Sequence, residues 1–187
     1  MSIIVGIDEV GRGSWAGPLV AGAVILRRPI DGLRDSKKLT KLQRQKYSEI
    51  IHSYAPAIGL GWVTPKQIDK LGLTRAIALA MNLAIKQIEI AHDEVIIDGN
   101  FNFLPLHPYS KAIAKADETI ACVSAASIVA KVARDNYMRK MAVKYPVYGF
   151  ETNVGYGTVK HIQALNKYGI CNIHRKSFRP VSQLGLD

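Results

Sequence analysis

The sequence predicts an α/β domain: one sheet flanked by helices, with a small helical part at the C-terminus. Three observations carry this expectation. Short apolar runs rich in β-branched residues at 3–7, 20–26, 58–63 and 94–98 read as strands, the first and last stopped by glycine-containing turns. Stretches with apolar residues at helical spacing fall between and after them. The chain has 187 residues, enough to bury a sizeable core in one domain.

Ile3-Ile4-Val5-Gly6-Ile7 reads as a buried first strand, and Val20 to Leu26 as a second, set off by Gly17-Pro18. Asp35-Ser36-Lys37-Lys38 is a polar turn. Thr40 suits the N-cap of a helix running to about Tyr54, with Leu42, Ile50, Ile51 and Tyr54 toward the core. Ile58 to Val63 is a third strand. Thr64-Pro65 opens a short helix that Gly72 closes. Thr74 to Ile90 reads as a longer helix with Ile77, Met81, Ile85 and Ile88 on its core face. Glu94 to Asp98 is a strand, followed by a proline-containing loop from Asn100 to Ser110 and a short strand near Ile113. Ala121 to Lys144 is a long, alanine-rich helix. Beyond Pro146 the chain is irregular, with a helix near 158–167 capped by Gly169. The expected organisation is a domain over 1–145 with a helical extension and tail, 146–187, packed on it.

Lys+Arg 25 against Asp+Glu 15 gives a net charge of +10, and the pI is about 9.7. A polyanionic partner follows, with nucleic acid first among the candidates. Cys122 and Cys171 lack metal-ligand or redox spacing and read as reduced thiols of a cytoplasmic protein. No signal peptide is evident. The longest apolar stretch, Trp15 to Leu26, is shorter than the ~20 residues a membrane helix needs.

Within this basic chain, acids sit at conspicuous places. Asp8-Glu9 ends the first strand, Asp98 ends the fourth, and Asp117 precedes the long helix. Two acids at the end of a buried strand are costly unless a cation meets them, and a divalent ion held by oxygen ligands is such a partner. If the first and fourth strands are parallel neighbours, Asp8 and Asp98 emerge at one sheet edge. Four carboxylates there suit two-metal phosphoryl transfer. Taken locally, the same residues also fit a solvated turn at Asp8-Glu9, an Asp-Gly turn at Asp98 and a helix N-cap at Asp117. Asp135 lies 18 residues beyond Asp117, ~27 Å along an unbroken helix at ~1.5 Å per residue, so an ion pair suits it better than the acidic cluster. His52, His92, His107 and His161 show no metal-like spacing and read as surface residues. Ser124 has no histidine that the sequence places beside it, which argues against a serine nucleophile.

The segment Gly6-Ile7-Asp8-Glu9-Val10-Gly11-Arg12-Gly13 closely resembles bacterial ribonuclease HII, the type 2 ribonuclease H. So do Asp35-Ser36-Lys37-Lys38-Leu39, Ile97-Asp98-Gly99, Lys115-Ala116-Asp117 and Ala125 to Lys131. Gly155-Tyr156-Gly157-Thr158 and His174-Arg175-Lys176-Ser177-Phe178 match as well. Two departures appear: Ser14-Trp15 stands where the family has Pro and a smaller apolar residue, and Ala116 replaces a glycine. The resemblance implies a ribonuclease H-like mixed sheet flanked by helices with a C-terminal helical extension. It implies hydrolysis of RNA paired to DNA, and of single ribonucleotides embedded in duplex DNA, giving 3′-hydroxyl and 5′-phosphate ends. It implies two Mg²⁺ or Mn²⁺ ions held by Asp8, Glu9, Asp98 and Asp117 as the catalytic carboxylates. By the same matching, Gly11, Arg12 and Gly13 contact the ribose 2′-hydroxyl and its phosphates, Lys37 a phosphate, and Tyr156 the junction beside the 2′-hydroxyl. On residue type alone, Tyr156 reads rather as a core aromatic with a satisfied hydroxyl, and Lys37 as one exposed lysine among many. For His174, in a matching motif, contact with substrate and ordering of the C-terminal segment both stay open.

The rival readings are a non-catalytic nucleic-acid-binding module and another metal nuclease of the same fold. A binder of phosphates gains nothing from clustered acids, and the Gly-Arg-Gly turn with Tyr156 favours ribonucleotide recognition. Near the C-terminus, Gln183-Leu184-Gly185-Leu186 resembles the Gln-Leu-x-Leu peptide that docks bacterial DNA-processing enzymes on the sliding clamp. Asp187 stands where the usual last apolar residue would be.

Overall fold

The structure is a computed structural model that describes residues 2–33 and 36–183. A five-stranded sheet in the order β3-β2-β1-β4-β5 organises the chain. Its strands are β1 (Ile4–Val10), β2 (Leu19–Ile25), β3 (Ala57–Val63), β4 (Glu94–Asp98) and β5 (Ser110–Ile113). The first three form an antiparallel meander, whereas β4 and β5 run parallel to β1. The sheet is therefore mixed, as expected.

Side-chain alternation divides the strands between two layers. Val5, Ile7, Ala21, Ala23, Val95 and Ile97 pack with Ile77, Ala80, Met81 and Ala84 of α3 (Leu73–Ile85). The opposite face packs against α5 (Ala121–Lys144), through Val24 with Ala126 and Val129, and Ile96 with Val123. Small side chains on α5 let this helix lie close on β1 and β2. Helix α1 (Lys41–Tyr54) leans on α5 from outside through Ile51. Thr40 and Gln43 form a capping box at its start, and Thr64 and Gln67 do the same for α2 (Pro65–Leu71).

Two expectations fail here. Leu42 and Tyr54 are 81% and 73% exposed. Only the α1 face through Tyr47, Ser48 and Ile51 meets the domain, and Leu42 lies across the helix from it. The helix expected over 74–90 ends at Ile85. The cause is the open edge of the sheet: the Gln87 side chain donates to the Leu60 carbonyl of β3 at 2.8 Å and accepts from its N–H at 3.3 Å. Satisfying an unpaired edge strand competes with another helical turn. Ile88 is still buried, from a turn rather than a helix.

The 3₁₀ turn Ser36–Lys38 precedes α1, and the short α4 (Ala116–Thr119) precedes α5. After α5 come a 3₁₀ turn (Pro146–Tyr148), α6 (Phe150–Asn153), α7 (Val159–Tyr168) and α8 (Arg179–Ser182). Tyr148, Phe150, Ala164, Leu165 and Ile173 pack on Ala16 and on Met138 and Ala142 of α5. Among the described residues no helix is long and apolar enough to cross a membrane.

Candidate active site

The register of β1 on β4 pairs Ile7 with Ile97. Asp8 and Asp98 therefore follow as neighbours at the C-terminal ends of parallel strands, on the α5 face of the sheet. A left-handed residue, Lys115, turns the chain into α4, whose first turn brings in Asp117. The Asp117 N–H donates to Asp98 Oδ1 at 3.3 Å. Ser124 Oγ donates to the Asp117 carbonyl at 2.6 Å, tying α4 to α5. One carboxylate oxygen from each of Asp8, Asp98 and Asp117 lies within 4.8 Å of the others. Asp8 and Asp117 are 7% and 3% exposed. Glu9 lines the same cleft from the strand end, in ion-pair range of Arg12 at 3.6 Å.

Burial pushes the Asp8 carboxyl up to about 8, with the Glu9 and Asp98 charges adding to the rise. The Ser127 hydroxyl and the Glu9 N–H, 2.7 Å from Oδ1, oppose it. Burial raises Glu9 too, against the pull of Arg12. Lys37 Nζ meets Asp117 Oδ2 at 3.2 Å. A hard cation with oxygen ligands is what this arrangement fits: acids held together against their own repulsion, two of them almost out of water.

The cleft has a volume of about 560 Å³, and Gly11, Arg12, Lys37 and Tyr156 line it together with Asp8, Glu9 and Asp98. Gly11 has φ +88°, and a Cβ there would strike Arg134 Nε at 2.2 Å, so the turn requires glycine at this position. Gly13 is exposed, and a Cβ there would lie 4.0 Å from Tyr156 Cε1, in ordinary contact with the ring edge. The Tyr156 ring stands over the Arg134 guanidinium, 5.6 Å from its centroid. Seven of the nine catalytic and substrate-contacting candidates thus line one cleft, Asp117 adjoins it through the acidic cluster and Gly13 lies beside Tyr156.

Other residues of the site carried no assignment. Ser36 and Ser127 share a buried hydrogen bond of 2.9 Å beside Asp8. Arg44 donates to the Ser36 carbonyl at 2.9 Å and to the Leu39 carbonyl, bracing the turn that carries Lys37. Arg134 and Arg175 are fully buried. Arg134 donates to the carbonyls of Ala16, Pro18 and Val154. Arg175 donates to those of Arg12 and Gly17. Burial lowers both, Arg175 to about 9 with the Arg134 charge adding to the fall. The two arginines fasten the 12–18 turn to the C-terminal part. No sequence pattern distinguishes a buried arginine that serves carbonyls from a surface arginine.

Asp135 takes the expected ion pair, to Lys131 at 2.8 Å. Trp15 packs on Gly157 and stands 5.7 Å from the His161 ring, under the Tyr156 turn. The surface placement expected of His161 is wrong: it is fully buried and hydrogen-bonded to His174. Its neighbours Ala164 and Leu165 carry the apolar face of α7, and His161 lies on that face one turn earlier.

A family profile described as Ribonuclease HII matches residues 5–181. The ribonuclease HII of Francisella philomiragia is 46% identical over 185 residues, covering 97% of this chain and 99% of that one. The crystal structure of ribonuclease H2 from Pyrococcus horikoshii aligns with a TM-score of 0.83 at 28% identity, over 97% of this chain and 96% of that one. The RNase HII of Archaeoglobus fulgidus, solved in complex with PCNA, aligns with a TM-score of 0.83 at 24% identity, over 98% and 97%. A profile match from β1 to α8, an acidic cluster at the strand ends and a relative matched over nearly its full length agree: the chain belongs to the ribonuclease HII family, endonucleases that cleave the RNA of RNA–DNA hybrids.

Proposed function

We propose that this cleft hydrolyses the phosphodiester on the 5′ side of a ribonucleotide, in hybrids and at single ribonucleotides within duplex DNA. The products are a 3′-hydroxyl and a 5′-phosphate. The observation that carries this reading is the convergence of Asp8, Asp98 and Asp117 at the sheet edge, with Glu9 beside them. These four carboxylates would hold two divalent ions, Mg²⁺ or Mn²⁺. Such ions supply a nucleophilic water at neutral pH and stabilise charge on the leaving oxygen.

The protein's own groups do the rest. Ser127 and the Glu9 amide hold Asp8 in one orientation, and the Asp117 amide does the same for Asp98. Arg12 and Lys37 lie at the rim, where they meet phosphate oxygens. The Gly11–Gly13 turn brings backbone close to the ribose, and Tyr156 faces Gly13 across the opening. A 2′-hydroxyl placed between them is what distinguishes RNA from DNA at that position.

The test is a duplex containing one ribonucleotide, incubated with the protein and Mg²⁺ beside an all-DNA duplex. Cleavage 5′ to the ribonucleotide with a 3′-hydroxyl product is expected, and the all-DNA duplex should stay intact. Equal cutting of both, or a cyclic phosphate product, overturns the reading. The tail offers a second contact: Gln183, Leu184 and Leu186 are proposed to dock on the sliding clamp. Of these, Gln183 is an exposed residue just after α8, and Leu184 and Leu186 lie outside the described residues.

A further inference from the structure

The two buried histidines of the C-terminal part form a hydrogen-bonded chain with one allowed direction. His161 Nε2 and His174 Nε2 are 3.0 Å apart. At one end, the Cys171 backbone N–H, which can only donate, points at His174 Nδ1 over 2.8 Å. At the other, His161 Nδ1 lies 2.9 Å from the Tyr156 carbonyl, which can only accept. A His174 Nδ1–H directed at the Cys171 carbonyl, 3.3 Å away, would oppose that amide, and the carbonyl already accepts the His174 N–H at 3.0 Å. One pattern satisfies every atom. His174 accepts at Nδ1 and donates from Nε2, His161 accepts at Nε2, and its Nδ1–H reaches the Tyr156 carbonyl.

We infer that His161 and His174 are positioning residues for substrate recognition, a neutral two-ring relay that fixes the backbone of Tyr156 over the cleft. Their surroundings agree. The rings of Tyr148, Phe150 and Trp15 enclose the pair, and both histidines are almost without solvent contact, 0% and 2% exposed. Burial lowers both, with His174 falling to about 4 as His161 adds to the effect. A second proton would set N–H against N–H, at the centre of the relay if it went on His161 and against the Cys171 amide if it went on His174. The Tyr156 turn is held from its other sides too. The Trp15 and Ala16 amides donate to the Gly155 carbonyl at 2.8 and 3.2 Å, Arg134 to Val154, and Tyr156 N–H to Asn153. Among the described residues the relay alone reaches the Tyr156 carbonyl from the 171–174 segment, so it joins α7 and that segment to the residue over the cleft.

The inference rests on the reading of Tyr156 as the residue that contacts the ribose. Two measurements test it. Long-range ¹⁵N–¹H spectra of the unaltered protein at neutral pH should show His161 protonated on Nδ1 alone and His174 on Nε2 alone. The opposite tautomers, or a doubly protonated ring, overturn the relay even if every variant misfolds. The second is a cycle of His161→Phe, Tyr156→Ala and the double variant, read as kcat/KM on an embedded ribonucleotide relative to a long hybrid. His161→Phe should lower this ratio about tenfold, the scale of one buried hydrogen bond. The Mg²⁺ concentration for half-activity should not move. On top of Tyr156→Ala the same change should cost less than about twofold. Full additivity overturns the inference and leaves the Tyr156 reading standing. An unchanged ratio in Tyr156→Ala alone overturns that reading and the inference with it.

Discussion

Asp8 illustrates how a fold makes a residue expensive for a reason. Its ordinary value is 3.8, and burial beside two other acids lifts it to about 8. The folded, metal-free protein therefore holds a proton that the unfolded chain releases. Stability from the neutral carboxyl is complete below the ordinary value and is lost as pH rises through about 8. Asp8→Asn keeps the neutral shape at every pH. The metal-free variant is expected to melt above the wild type from neutral pH upward and to converge with it in acid, as calorimetry across that range would reveal. Mg²⁺ should raise the melting temperature of the wild type and not of the variant. Cleavage by Asp8→Asn or Asp98→Asn should fall by roughly a hundredfold or more, because metal-supplied charge stabilisation is worth several kcal/mol. A folded Asp98→Asn protein with near-normal turnover would remove Asp98 from the catalytic set. Tyr156→Ala should lose more rate on a single ribonucleotide than on a long hybrid, where many registers are equivalent. Equal losses on the two substrates would assign it a general role instead.

At the scale of elements, the site depends on joints between them. Parallel pairing of β1 with β4 sets two acids side by side, and the kink between α4 and α5 delivers the third. The Gly11 turn is locked by Arg134 of α5, whose guanidinium occupies the space a side chain would need. Gly11→Ala is expected to cost about 1–3 kcal/mol, the scale of a strained left-handed residue. Cleavage should fall with it, since Arg12 and Glu9 flank the same turn. Chemical denaturation beside an activity assay would separate the two effects. Wild-type stability in the variant would mean that the guanidinium moves aside at little cost.

For the molecule as a whole, the net charge is +10, and the cleft that holds the acids is also lined by Arg12, Lys37, Arg44 and Lys131. Substrate affinity should fall steeply as salt rises, through release of counterions from the phosphates. Lys37→Ala should flatten the slope of log Kd against log salt by about one charge's worth. An unchanged slope would mean that Lys37 serves Asp117 and not a phosphate. Removing residues 183–187 should leave cleavage of short duplexes unaltered and reduce retention on an immobilised sliding clamp. Identical retention of full-length and shortened proteins would leave the tail without that role.

Much of this was legible in the residues. Alternating β-branched runs and capped helices marked nearly every element, because burial periodicity and capping chemistry are local. The acids stood out for the same reason: a carboxylate at the end of an apolar strand conflicts with its surroundings, and that conflict is visible in one dimension. Other features depend on neighbours distant in the chain. The end of α3 was decided by Leu60, on a strand edge that only sheet order leaves open. Leu42 turned outward because α1 meets the domain along a single narrow face. Arg134 and His161 read as ordinary polar residues, and His174 and Arg175 stood in a matched motif without an assigned role, until folding removed water from all four. Their partners are backbone groups and one another, up to 163 positions apart. The sequence by itself determined the fold class and which groups are the candidates for the chemistry. Tertiary packing decided how those groups are held, since a buried hydrogen bond between distant residues leaves no periodic trace along the chain.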